Sequence, residues 1–128
     1  MEKIEKKIKK HLVDRGWDQL LPGDLAKSIV IESGELLELF QWHNPTVAEV
    51  KKDKEKLVEI KKELADVLIY CLDLSVTLGL NTEKIILDKL AHVQKKYPAK
   101  LMRERAGKEP GELDIYWKIK KEYRRKGK

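Results

Sequence analysis

The chain has 128 residues, 41% hydrophobic and 39% charged, with 7 Gly, 4 Pro and a single cysteine, Cys71. This length predicts one domain; the apolar share excludes a disordered chain, and one cysteine excludes a disulfide framework or a thiolate zinc centre. Lys and Arg number 28 against 22 Asp and Glu, and the whole excess of +6 falls in residues 118–128, KIKKEYRRKGK, so a general nucleic-acid surface is not expected.

No uncharged stretch approaches the roughly 18 apolar residues of a membrane helix. Met1 to Lys10 alternates Lys and Glu without an apolar signal core. A cytoplasmic location with no membrane partner is expected.

The first predicted helix runs from Glu2 to Arg15, with Ile4, Ile8 and Leu12 on one face, and stops at Gly16. Pro22-Gly23-Asp24 supplies a turn, with Asp24 as N-cap of a second helix over Leu25 to Trp42. His43-Asn44-Pro45-Thr46 is a break. A third helix starts within 47–56 and ends at Leu78, stopped by Gly79. Asn81 or Thr82 caps a fourth, which runs to Lys96, just before Pro98. Residues 99–111 carry no decisive pattern, and 112–126 form a final short helix. The expectation is an all-α fold, an antiparallel four-helix bundle with a basic C-terminal tail. One helical domain spans 1–111, and 112–128 form the tail or short helix.

Unrolling each helix at about 100° per residue locates the acids. With Glu32 at zero, Leu25, Leu36, Ile29 and Phe40 fall between about 20° and 80°, Leu39 near about −20°, and Glu35 near about −60°. With Glu63 at zero, Leu74, Val67, Ile60 and Leu78 fall between about 20° and 60°, Tyr70 near about −20°, and Asp66 near about −60°. Both helices therefore carry an E-x-x-acid pair that intrudes on an apolar stripe. One such pair in a Glu-rich chain reads as surface charge. Two, facing each other, bring Glu32, Glu35, Glu63 and Asp66 together, and like charges at short range need a cation. Oxygen ligands without His or Cys suit Mg²⁺ or Mn²⁺.

Glu38 lies away from the stripe and reads as peripheral. Glu59 and Asp73 share an edge with Asp66; they read as surface acids, the alternative being groups that support the site from behind. A di-iron carboxylate bundle needs E-x-x-H on two helices; the three histidines, His11, His43 and His92, provide none. No Walker loop, G-x-G-x-x-G, G-x-S-x-G or H-E-x-x-H is present.

The stretch Glu32-Ser-Gly-Glu35-Leu-Leu-Glu-Leu-Phe-Gln-Trp42, followed after Glu35 by 27 residues and then Glu63-Leu-Ala-Asp66-Val-Leu-Ile-Tyr70, resembles the MazG-like all-α nucleoside triphosphate pyrophosphohydrolases. Within that superfamily it is most similar to the dCTP pyrophosphatase branch. The resemblance covers Arg15 to Pro98 and leaves out the tail. It implies Mg²⁺-dependent hydrolysis of a nucleoside triphosphate, dCTP or a modified pyrimidine deoxynucleotide, to monophosphate and pyrophosphate. Glu32, Glu35, Glu63 and Asp66 are implied as catalytic metal ligands, with Mn²⁺ a possible substitute. The resemblance does not assign the acceptor of the water's proton, for which Glu32 or Glu35 is the expectation here. Trp17 and Trp42 are implied as nucleobase-pocket aromatics, Tyr70 near the sugar or phosphates, and Lys89 and Tyr97 at the triphosphate.

Two departures bear on the substrate. Val93 stands where the family has an asparagine, and one residue fewer separates Trp17 from Glu32 than in that branch. The resemblance also implies a homodimer or homotetramer, and Leu36, Leu37 and in part Phe40, on helix faces left apolar, are the candidate interface positions. The alternative is a non-catalytic helical binding module that uses the basic tail for nucleic acid or a protein partner. Retention of all four acids argues against it, because a dead site has no reason to keep buried charges.

Overall fold

The computed structural model describes residues 1–103 and 113–127. The expected domain boundary at 111/112 lies outside them, as does most of the stretch 99–111. Among the described residues every regular element is helical: α1 (Glu2–Asp14), α2 (Pro22–Glu38), α3 (Val47–Lys52), α4 (Lys54–Thr77), α5 (Thr82–Lys96), α6 (Ala99–Arg103) and α7 (Leu113–Arg125). They fall into two compact units, Met1–Thr82 and Glu83–Lys128. Among the described residues no helix is long and apolar enough to cross a membrane.

In the first unit α1, α2 and α3 each pack on α4. The helix ends show why. Gly16 and Gly79 both adopt φ +66°, a region that side chains with a Cβ rarely enter. At the end of α1 the Trp17 N–H donates to the Leu12 carbonyl (2.9 Å) and the Gly16 N–H to Val13 (3.1 Å). At the end of α4 Leu80 donates to Ser75 (2.9 Å) and Gly79 to Val76 (3.0 Å). Both are Schellman closures, in which the left-handed glycine lets its own N–H and that of the next residue satisfy orphan carbonyls of the last turn. The first one also fixes where Trp17 leaves the helix. Leu12, whose carbonyl it uses, is one of two hydrophobic side chains among the described residues that are almost wholly removed from solvent; the other is Leu25.

Three helix boundaries differ from the sequence expectation. The second helix starts at Pro22, with Leu21 as N-cap and Asp24 in the first turn rather than at the cap. Pro is well suited to the first helical position, since its missing N–H has no intrahelical partner there. The same helix ends at Glu38, so Trp42 lies beyond it. The third expected helix is two, because Asp53 leaves the helical conformation (φ −86°, ψ 95°), ends α3 and caps α4 by accepting from the Lys56 N–H. Thr46 and Glu49 form a reciprocal capping box at the start of α3.

One contact sets the register of α2 against α4. The Lys56 ammonium donates to the Leu39 carbonyl at the end of α2 and lies 5.5 Å from the Phe40 ring centroid. A cation at a helix C-terminus also opposes the partial negative charge there. Because α2 runs toward this clamp and α4 away from it, the two helices are antiparallel. Glu32 lies seven residues before Leu39 and Glu63 seven after Lys56, each about 10 Å along its own axis. The two acids are therefore level with each other.

In the second unit Tyr97 stacks on Tyr116 (5.1 Å, 18°), and Lys120 lies over the rings of Tyr116 and Trp117. Lys96 sits over Tyr97 and Tyr123, and His92 meets Tyr123 edge-on at 5.9 Å. The basic tail is thus largely a helix, α7, whose lysine stems and aromatic rings pack together.

Candidate active site

The level placement of α2 and α4 has a direct electrostatic result. Carboxylate oxygens of Glu32, Glu63 and Asp66 lie within 4.8 Å of one another, all three residues half-buried. The Glu63 side chain is only 12% exposed. Its Oε1 is 3.2 Å from the Lys62 ammonium, and its Oε2 is buried with no hydrogen-bond partner. A buried, unpaired carboxylate oxygen beside two further carboxylates is costly in the absence of a compensating positive charge.

Glu35 is exposed and stands beside this trio rather than in it. The charge of Glu32 pushes its carboxyl above the usual range, with partial desolvation and Glu63 adding to the effect. Glu38 and Glu59 are exposed, in keeping with their reading as peripheral and surface acids.

Asp66 also opens onto a cavity of about 370 Å³ bounded by α1, the turn after it, α2 and α4. Trp17 and Tyr70 line it, together with His11, Leu12, Leu25 and Asp73. The Trp17 ring is held edge-on to His11 (5.7 Å, 67°), with the Arg15 guanidinium 5.9 Å from its centroid. Asp73 is the largest departure from the sequence reading. It is not a surface acid: it is 5% exposed, its Oδ1 has no hydrogen-bond partner, and burial pushes its carboxyl up against an opposing effect of His11. Asp66, Tyr70 and Asp73, at i, i+4 and i+7, lie on one face of α4. That spacing was the available signal for Asp73; the depth of the groove between α1 and α4 was not.

Trp42 is not brought to the cavity; it stands 90% exposed in the turn after α2. Lys89 and Tyr97 belong to the second unit, Lys89 exposed on α5 and Tyr97 just after it, stacked on Tyr116. Desolvation is the first cause that raises the Tyr97 hydroxyl, with Tyr116 adding to it.

The MazG-like family model matches residues 27–113, a span that contains all four acids. The chain belongs to the MazG-like family. Among its relatives, dCTP pyrophosphatase 1 of Mus musculus is 32% identical over 111 residues, covering 84% of this chain and 65% of that protein. The Homo sapiens protein of the same name is 30% identical over 118 residues, with the same coverage. This MazG-like chain thus spans just under two thirds of the length of these relatives. The crystal structure of a pyrophosphatase from Archaeoglobus fulgidus is also similar, with TM-score 0.66 and 35% identity over 77% of this chain and 92% of that one.

Proposed function

We propose that this MazG-like chain hydrolyses a nucleoside triphosphate to the monophosphate and pyrophosphate, with dCTP or a modified pyrimidine deoxynucleotide preferred. The observation that carries this reading is the trio of oxygens from Glu32, Glu63 and Asp66, one carboxylate of which has a buried, unpaired oxygen. An all-oxygen donor set of this kind fits a hard divalent cation, Mg²⁺ with Mn²⁺ as substitute. The names of the relatives support the triphosphate and the base.

Glu32, Glu63 and Asp66 would hold the cation, which when bound supplies charge neutralisation at phosphate oxygens and a more acidic water. Glu35, beside the trio but outside it, keeps a carboxylate available to orient the attacking water and accept its proton at Oε. The cavity next to Asp66 takes the base, with Trp17 offering a ring face and Tyr70 lying between base and phosphates. Lys89 and Tyr97 keep the triphosphate role that the resemblance implies for them, and Val93 removes an amide from that set. Trp42, exposed as it is, would contribute to a base pocket only once covered. The setting is nucleotide-pool house-cleaning in the cytoplasm, a reducing compartment that suits the free, exposed Cys71.

The test is incubation with each dNTP and NTP plus Mg²⁺, with all four products resolved. Monophosphate and pyrophosphate, lost on adding EDTA, are expected, with pyrimidine deoxynucleotides cleaved fastest. Diphosphate and phosphate, or no cleavage at all, would overturn the reading.

We further propose a homodimer or homotetramer. On α2, Gly23, Ala26, Val30 and Leu37 lie opposite the face that carries Glu32; Val30 is 71% exposed and Leu37 67%. A helix apolar on both faces is normally covered on both. Sedimentation equilibrium is expected to give two or four times the 15.0 kDa chain mass, and a monomer at all concentrations would refute it.

A further inference from the structure

We infer that Asp73 reads the base: from the floor of the Trp17–Tyr70 cavity its carboxyl accepts a hydrogen bond from the exocyclic amine of an amino-bearing nucleobase, cytosine among the pyrimidines. This rests on the nucleotide reading of the adjoining acids.

Elimination among the polar groups of the cavity leads to it. Asp24 is paired with Lys27 at 3.0 Å, and the Ser28 hydroxyl donates to the Asp24 carbonyl at 3.1 Å. Asp66 belongs to the oxygen trio. His11 presents its ring edge-to-face with Trp17. Asp73 alone combines near-complete burial, at 5% exposure, with an unpartnered side-chain oxygen in the cavity wall. A buried acceptor without a donor is an expensive feature to retain, and a ligand N–H removes the expense.

The layout along α4 suits a nucleotide. Asp66 marks the phosphate end, Tyr70 the middle and Asp73 the far end, about 10 Å from Asp66 along the helix. At that far end a carboxylate discriminates by sign. Cytosine N4 and adenine N6 present N–H donors, whereas thymine or uracil O4 and guanine O6 present lone pairs that a carboxylate repels. Asp accepting from cytosine N4 is a recurrent pairing in base recognition.

The experiment compares kcat/KM for dCTP, dUTP and the pyrimidin-2-one deoxynucleoside triphosphate, which lacks the 4-amino group, in the wild type, Asp73→Asn and Asp73→Ala. The wild type is expected to favour dCTP over both others by about tenfold or more, the effect of one lost charged hydrogen bond. Asp73→Asn can turn its amide toward O4 and should narrow or invert the dCTP/dUTP ratio; Asp73→Ala should flatten all three. Equal losses on every substrate, or unchanged ratios, would overturn the inference while leaving hydrolysis in place. The analogue arm needs no variant: a wild type that cleaves the pyrimidin-2-one nucleotide as well as dCTP overturns the inference even if Asp73 substitutions do not fold. Calorimetric titration of dCMP and dUMP without metal separates the two ideas. Selective dCMP binding lost in Asp73→Asn, in a protein that cleaves nothing, would support the pocket and refute the reaction.

Discussion

Glu63→Gln is expected to lower pyrophosphate release by at least about 10³-fold, equivalent to about 4 kcal/mol, while the fold survives. The substitution keeps shape and removes one charge from the trio Glu32, Glu63 and Asp66. The lost charge is well enclosed by protein, with one oxygen buried and unpartnered, so its attraction for a cation is little screened by water. In cation-free buffer the same change should leave stability equal or higher. The buried Oε2 has no donor in the wild type, and an amide there can donate to a neighbouring carboxylate. Melting curves with and without Mg²⁺ complete the test: the wild-type transition should rise with Mg²⁺, and that of Glu63→Gln should respond little. A variant within tenfold of wild-type activity would remove Glu63 from the site.

Leu25→Ala is expected to cost about 2–5 kcal/mol, the usual range for emptying a buried leucine position. Leu25 is 2% exposed, and only Leu12 among the apolar side chains described is as well covered. A typical domain is stable by about 5–15 kcal/mol, so one methylene-rich side chain carries a large share here. Urea unfolding at two protein concentrations measures both the loss and its source. If subunit contacts complete the core, the midpoint rises with concentration for wild type and variant alike. A loss below about 1 kcal/mol would mean that the α2–α4 contact collapses around the gap.

The all-helical class and the acid pairs were legible because both rest on periodicity, which is local. Gly16 and Gly79 were legible as stops for the same reason: a left-handed residue after an apolar run has few other uses. Asp53 was not read as a break, because an Asp within a charged run carries no pattern until its side chain is seen to accept from Lys56. The true start at Pro22 was missed because Asp24 is an equally good cap on composition alone. Asp73 was visible as a position on the Asp66 edge of α4, but burial of that edge depends on α1, which pairing rules along one helix do not report. Lys89 and Tyr97 rest on resemblance alone, since the surroundings of a surface lysine are set by tertiary structure.

The clamp between Lys56 and the Leu39 carbonyl divides the chain into stretches with very different freedom to change length. Between Glu32 and Leu39, and between Lys56 and Glu63, every residue added or removed slides one acid past the other by about 1.5 Å and turns it by about 100°. A single deletion there scatters the oxygen trio. Between the two anchors, from Phe40 to Glu55, the chain is held by α3 and its cap but carries none of the acids of the trio, and its turns can change length cheaply, since doubling a loop costs only about 0.6 kcal/mol. Length variation among sequences that preserve this chemistry should therefore collect in that span, and the seven-residue arms on either side should keep their count.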